Sequence, residues 1–175
     1  MIRHARTLAD ILTLFRALLG PVIAWTGFIR GAEGLSIVCA MVLVSWLSDL
    51  LDGPLARRDN DHGQTWIGRH DAEADLSISI GVALYLLWAN YVAIWPVLGI
   101  LILLVVLWMI HSHQLAWPLY ALPYVILIGV ALEKSPPWGW VLVGYLIGVL
   151  ILRRRRLADQ YLAEFFAALK SLRRL

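Results

Sequence analysis

Charged residues and cysteine are scarce in this sequence of 175 residues. Asp, Glu, Lys and Arg together make up only 15%, whereas 61% of residues are hydrophobic and the mean hydropathy is +0.74. This balance excludes an ordinary soluble domain and predicts an integral membrane protein, with the lipid bilayer as its first partner. The single cysteine, Cys39, excludes an internal disulfide. The net charge of +3 does not indicate a nucleic-acid partner, because the basic residues follow the predicted membrane topology.

The longest stretch without Asp, Glu, Lys or Arg covers residues 76–132. A spanning helix takes about 20 residues, so this stretch alone holds nearly three crossings. The pattern predicts an all-α, polytopic membrane protein of one domain, 1–175, with six transmembrane helices. These are expected at residues 11–29, 35–51, 72–89, 91–110, 115–132 and 138–152.

Basic residues indicate the orientation of these spans. They precede the first span, lie between the second and third, and follow the sixth: Arg3, Arg6, Arg57, Arg58, Arg69 and Arg153 to Arg156. Because cytoplasmic flanks carry the Lys/Arg excess, both termini and the loop after the second span should face the cytosol. We expect a bacterial inner (plasma) membrane protein whose active site faces the cytosol.

The two ends of the chain are more polar. Residues 1–10 are expected to form an interfacial lead-in, and residues 31–34 and 133–137 to form outer loops. At the other end, residues 153–175 combine an arginine run with apolar side chains three or four apart. That spacing predicts a basic amphipathic helix on the cytosolic membrane surface, with a dimer contact as the main alternative.

Four aspartates stand where the second and third predicted spans meet their connecting loop. Asp49 and Asp52 are three residues apart, and Asp71 and Asp75 are four apart. Both spacings place a pair of carboxylates on one helix face. Since each carboxylate near lipid costs about 2.5 to 3.5 kcal/mol at a helix centre, the cluster needs a neutralising cation.

Oxygen-only ligands of this kind suit Mg²⁺ or Mn²⁺, and two such ions commonly clamp the oxygens around a phosphorus atom. Ser45 and Ser79 continue the two polar stripes inward. Gly53 and Ala56 leave room for a ligand near the backbone, and Arg57 has a donor fork suited to phosphate. The residues predict phosphoryl transfer at a membrane surface.

The order of these residues resembles the signature of the CDP-alcohol phosphatidyltransferases. The pattern DxxDGxxAR, a second glycine, and two aspartates separated by three residues is filled by Asp49, Asp52, Gly53, Ala56, Arg57, Gly68, Asp71 and Asp75. The opening Asp-Ile-Leu-Thr-Leu-Phe-Arg at residues 10–16, with Pro21 beyond, is also similar to the family's usual start, which commonly has Asn in place of Asp10.

The resemblance implies a role for each matching residue. Asp49, Asp52 and Asp71 would hold two metal ions, and Asp75 would contact one of them and act as general base on the acceptor hydroxyl. The donor's cytidine and diphosphate would be bound through Gly53, Ala56 and Arg57, and the remaining candidate substrate contacts are Thr65, Gly68, Thr13 and Arg16. For Arg16, snorkelling to the cytosolic interface is an equally weighted alternative.

The implied activity is transfer of a substituted phosphate group from a CDP-alcohol to an acceptor hydroxyl, with release of CMP. The family's usual donor is CDP-diacylglycerol, which implies phospholipid biosynthesis, and its members are commonly homodimers. Three alternatives remain: a transferase with a soluble CDP-alcohol donor and a lipid acceptor, a cation transporter, and a catalytically silent relative.

Two positions depart from the family pattern. Only two residues separate Gly68 from Asp71, where the family usually has three. Members that use a phosphorylated acceptor carry arginines around the fourth and fifth spans, whereas residues 108–113 here contain His111 and His113 and no arginine. These histidines are expected to form a polar helix cap. The sequence does not favour an acceptor such as glycerol 3-phosphate.

Overall fold

The computed structural model describes residues 2–57, 71–109 and 113–156, with side chains described at 10–50, 73–100, 102 and 119–152. Within these residues the chain forms α-helices and no strand, as predicted. A 3-10 turn, Gly31–Gly34, joins the first two helices. The helices are α1 (Ile2–Arg30), α2 (Leu35–Arg57), α3 (Asp71–Trp88), α4 (Ile94–Met109), α5 (His113–Lys134) and α6 (Pro136–Arg156).

Several predicted boundaries differ from the structure. The lead-in expected at residues 1–10 is continuous with α1, which is helical from Ile2, and its interfacial position stays a prediction. The predicted outer loop at 133–137 is wrong, since only Ser135 is non-helical there. Its carbonyl accepts the backbone N–H groups of Trp138 and Gly139 at 3.0 and 3.2 Å, and Pro136 at the first helical position has no N–H to lose.

One helical stretch, Asp10–Leu50, is long and apolar enough to cross a membrane, and Pro136–Leu152 is a shorter apolar helix. This finding rests only on the length and composition of the helices among the described residues. The number of spans and their orientation stay predictions, as does the single domain. The amphipathic helix expected at 153–175 lies outside the described residues beyond Arg156.

The chain divides into two compact units, an N-terminal unit (Met1–Tyr91) and a C-terminal unit (Val92–Leu175). In the N-terminal unit α1 packs against both α2 and α3. A Cβ atom added to Gly81 would lie 2.3 Å from the carbonyl oxygen of Gly20, and one added to Gly20 would lie equally close to that of Ser77. Glycine at these positions therefore lets the backbones of α1 and α3 approach closely.

Helix α3 ends in a Schellman motif. Asn90 has a positive φ of 58°, and the backbone N–H of Tyr91 donates to the carbonyl of Leu86 at 2.9 Å. The N–H of Asn90 donates to Leu87 at 3.1 Å, which completes the motif. This turn explains why α4 begins at Ile94, three residues after the start of the predicted fourth span.

In the C-terminal unit α5 packs against α4 and α6. The described core of this unit is aliphatic and contains Leu127, Ala131 and Leu142. A Cβ atom on Gly139 would lie 2.6 Å from the backbone nitrogen of Leu132, so α5 and α6 also touch closely beside the Ser135 break. The connection between these two helices is consequently very short.

Candidate active site

Arg16 is a fully buried cation in helix α1, with a side-chain exposure of 0%. Thr13, three residues earlier on the same helix face, is also buried. A buried guanidinium requires hydrogen-bonding partners, because an uncompensated charge inside a protein is costly. The snorkelling alternative for Arg16 is not what the structure shows, since the side chain lies inside the protein.

The partners of Arg16 come from the two other helices of the N-terminal unit. Its Nη1 atom donates to Oδ1 of Asp75, on α3, at 2.6 Å and to Oδ1 of Asp49, on α2, at 3.2 Å. Because both oxygens contact one nitrogen atom, they are separated by no more than the sum of those distances. The structure thus brings together one aspartate from each predicted pair.

The two carboxylates differ from the arginine in their access to solvent. Their side-chain exposures are 43% for Asp49 and 55% for Asp75, against 0% for Arg16. The guanidinium therefore forms the buried floor of the site, and part of each carboxylate stays accessible to a ligand. Charge-assisted hydrogen bonds of this kind also fix the positions of the oxygens they contact.

Buried hydroxyl groups extend the polar region into the helix bundle. Ser45 and Ser79, predicted to continue the aspartate stripes, are both buried. Ser48 is buried as well, and its Oγ donates to the carbonyl of Ser45 at 2.7 Å. Sequence reasoning missed Ser48, although its position three residues after Ser45 gives it the same helix face.

The close contact of α1 with α3 positions this site. Ser77, two residues after Asp75, donates from its Oγ to the carbonyl of Ala17, the residue after Arg16, at 2.8 Å. Together with the Gly20–Gly81 approach, this hydrogen bond sets the register of the two helices. Small residues at helical spacing in both segments were the available sequence signal for this contact.

Several predicted site residues have no described side chain. Asp52, Gly53, Ala56 and Arg57 lie in the last turns of α2, and Asp71 is the first residue of α3. Thr65, Gly68 and His111 lie outside the described residues, and His113 begins α5. Glu73, two residues after Asp71 on α3, is exposed.

The described part of the site supplies some of the oxygen ligands that a divalent cation requires. Among the described residues, no group of three or more His, Cys, Asp or Glu side chains is placed to hold a metal ion. Two of the four predicted ligands, Asp49 and Asp75, are nevertheless together, and their oxygens are partly exposed. Hard oxygen donors of this type fit Mg²⁺ or Mn²⁺.

Comparison with known proteins identifies the family. Residues 6–169 match the family model of the CDP-alcohol phosphatidyltransferases, a stretch that includes parts of both compact units and every predicted site residue. Searches of curated proteins and of solved structures found no match. The family comprises membrane-associated phosphotransferases of phospholipid synthesis that generally use divalent metal ions. The chain belongs to the CDP-alcohol phosphatidyltransferase family.

Proposed function

We propose that the protein transfers a substituted phosphate group from CDP-diacylglycerol to the hydroxyl group of an acceptor alcohol and releases CMP. Membership of the family supports a phosphotransferase role in phospholipid synthesis. The observation that carries the proposal is the meeting of Asp49 and Asp75, from different helices, at the Nη1 atom of Arg16. This arrangement presents partly exposed carboxylates above a buried cation.

The reaction would use the carboxylates in two ways. Asp49, Asp52, Asp71 and Asp75 would hold two Mg²⁺ or Mn²⁺ ions, which when bound neutralise charge on the diphosphate and on the leaving CMP. Asp75 would also accept the proton of the acceptor hydroxyl at a carboxylate oxygen. The acceptor oxygen then forms a bond to the phosphorus of the diacylglycerol phosphate, and the bond from that phosphorus to CMP breaks.

The donor would be held beside the carboxylates by residues from three segments. Gly53 and Ala56 would let the nucleotide approach α2, and Arg57 would bind the diphosphate through its donor fork. The other proposed donor contacts lie in α1 and in the connecting loop: Thr13, Arg16, Thr65 and Gly68. Arg16 contacts the partly exposed carboxylates of Asp49 and Asp75, and this contact supports its inclusion.

The proposal includes a membrane location. We infer six transmembrane helices, cytosolic termini and an active site at the cytosolic face of a bacterial inner membrane, where a lipid donor is available. The apolar stretch Asp10–Leu50 supports an embedded chain. A homodimer is proposed from the resemblance to the family.

The direct test is an assay of CMP release. The protein, purified in detergent, is mixed with CDP-diacylglycerol, Mg²⁺ or Mn²⁺ and a panel of alcohols. We expect CMP release with at least one acceptor and its loss on addition of EDTA. A parallel panel with soluble CDP-alcohols and lipid acceptors identifies the alternative donor class. Absence of CMP release with every pairing would contradict the proposed function.

A further inference from the structure

Arg16 has an unusual place in the N-terminal unit. It lies on α1, the helix that packs against both α2 and α3, and its one Nη1 atom contacts a carboxylate from each of them. The arginine is completely buried, whereas both of its acid partners are about half exposed. The cation is therefore a fixed part of the helix packing.

Without that cation, the two carboxylates would oppose the packing. Asp49 and Asp75 carry the same charge, and the geometry at Arg16 holds their oxygens close together. Two negative charges a few ångströms apart repel each other, even with the screening that half-exposed side chains experience. Something must offset this repulsion whenever no metal ion is bound at the site.

We propose that Arg16 is a positioning residue whose guanidinium is the internal counter-ion of Asp49 and Asp75. It holds the carboxylates of α2 and α3 together before a metal ion arrives, so that the site is assembled in advance. This inference rests on the proposed function for the identity of the ligand, a divalent cation. The arginine–carboxylate contacts themselves do not depend on that function.

The first experiment measures thermal unfolding of Arg16→Met in detergent with EDTA. We expect the midpoint to fall by about 4 to 8 °C, since Asp49 and Asp75 lose the guanidinium that both of them contact. Mn²⁺ should restore much of this loss, because it neutralises the same carboxylates. Arg16→Lys retains the charge, so its midpoint should stay closer to the native value. It replaces Arg16→Met in this experiment if Arg16→Met does not fold.

Ser77→Ala is the matched control. It removes an uncharged hydrogen bond between the same two helices, from the Ser77 hydroxyl to the Ala17 carbonyl. A variant that only loosens the α1–α3 contact should lose the same stability with EDTA and with Mn²⁺. The deciding case is a native protein that Mn²⁺ stabilises. If Arg16→Met then loses the same stability with EDTA and with Mn²⁺, Arg16 acts only in packing.

A double-mutant cycle separates this inference from the proposed function. The cycle measures, in EDTA, the stability lost on substitution of Arg16 by Met, or by Lys if Arg16→Met does not fold. This loss should be less than half as large in an Asp75→Asn background as in the native protein. An equal cost in both backgrounds would overturn the inference. Absence of any Mn²⁺ effect on the native protein would count against the metal site of the proposed function, while the cycle would still decide the role of Arg16.

Discussion

The two compact units bury different kinds of side chain. In the N-terminal unit, helices that touch backbone to backbone enclose a guanidinium and several hydroxyl groups. The part of the C-terminal unit that the structure describes has an aliphatic core instead. Every buried polar or charged side chain among the described residues belongs to the N-terminal unit: Thr13, Arg16, Ser45, Ser48 and Ser79. The two units therefore differ in the polarity of the side chains they bury, although close helix contacts occur in both.

This difference indicates how an apolar chain can hold a charged site. Carboxylates and a guanidinium are tolerated among lipid-facing helices only where they face each other or a protein interior. The glycines of α1 and α3 bring these two helices near enough for Arg16 to reach Asp75. Large apolar side chains are exposed in both units, among them Phe28 at 65% and Trp95 at 77%.

The largest structural effect is expected at the α1–α3 contact. In Gly81→Ala the new Cβ atom would lie 2.3 Å from the carbonyl oxygen of Gly20, so the helices must separate. Overpacking of this kind costs about 3 kcal/mol, which should lower the unfolding midpoint by roughly 6 to 12 °C and reduce CMP release. Thermal unfolding in detergent checks the first effect.

Gly144→Ala in α6 is the matched control from the C-terminal unit. Its Cβ atom would have no neighbour within 4 Å, and alanine is the better helix former by about 0.5 to 1 kcal/mol. We expect an unchanged or slightly raised midpoint. If both glycine variants lowered the midpoint equally, the proposed contrast between the units would be wrong.

A smaller effect is expected at the turn that ends the N-terminal unit. Asn90 has a φ of 58°, a conformation that costs alanine roughly 1 kcal/mol. Asn90→Ala should therefore lower the unfolding midpoint by about 2 to 4 °C, whereas Asn90→Gly should leave it near the native value. Equal losses in the two variants would assign the role of Asn90 to its side chain and not to its backbone.

Sequence reasoning predicted the helices better than their connections. Apolar runs separated by charged or turn residues were enough to locate α1 to α6 to within a few residues at most ends. The break between α5 and α6 was predicted too long, because a single serine carbonyl followed by Pro136 can end one helix and start the next. Amino-acid composition does not predict local hydrogen bonds of this kind.

The acids of the candidate site were predictable from their spacing, whereas Arg16 was predicted as a possible donor contact and not as the partner of Asp49 and Asp75. The spacing of Asp49 and Asp75 placed both on inward-facing stripes, and the structure brings them together. The position of Arg16 depends on the depth and rotation of α1 against two other helices, which periodicity does not specify. The burial of Thr13, a predicted substrate contact, and of Ser48, which was not predicted, likewise depends on this packing.

The most direct test of the central claim compares CMP release by the native protein, Asp75→Asn and Glu73→Gln. Glu73 is an exposed acid two residues before Asp75 on the same helix, so its loss controls for a change of charge at the start of α3. The account predicts a loss of about 10²- to 10⁴-fold in Asp75→Asn and near-native activity in Glu73→Gln. Full activity in Asp75→Asn would contradict it.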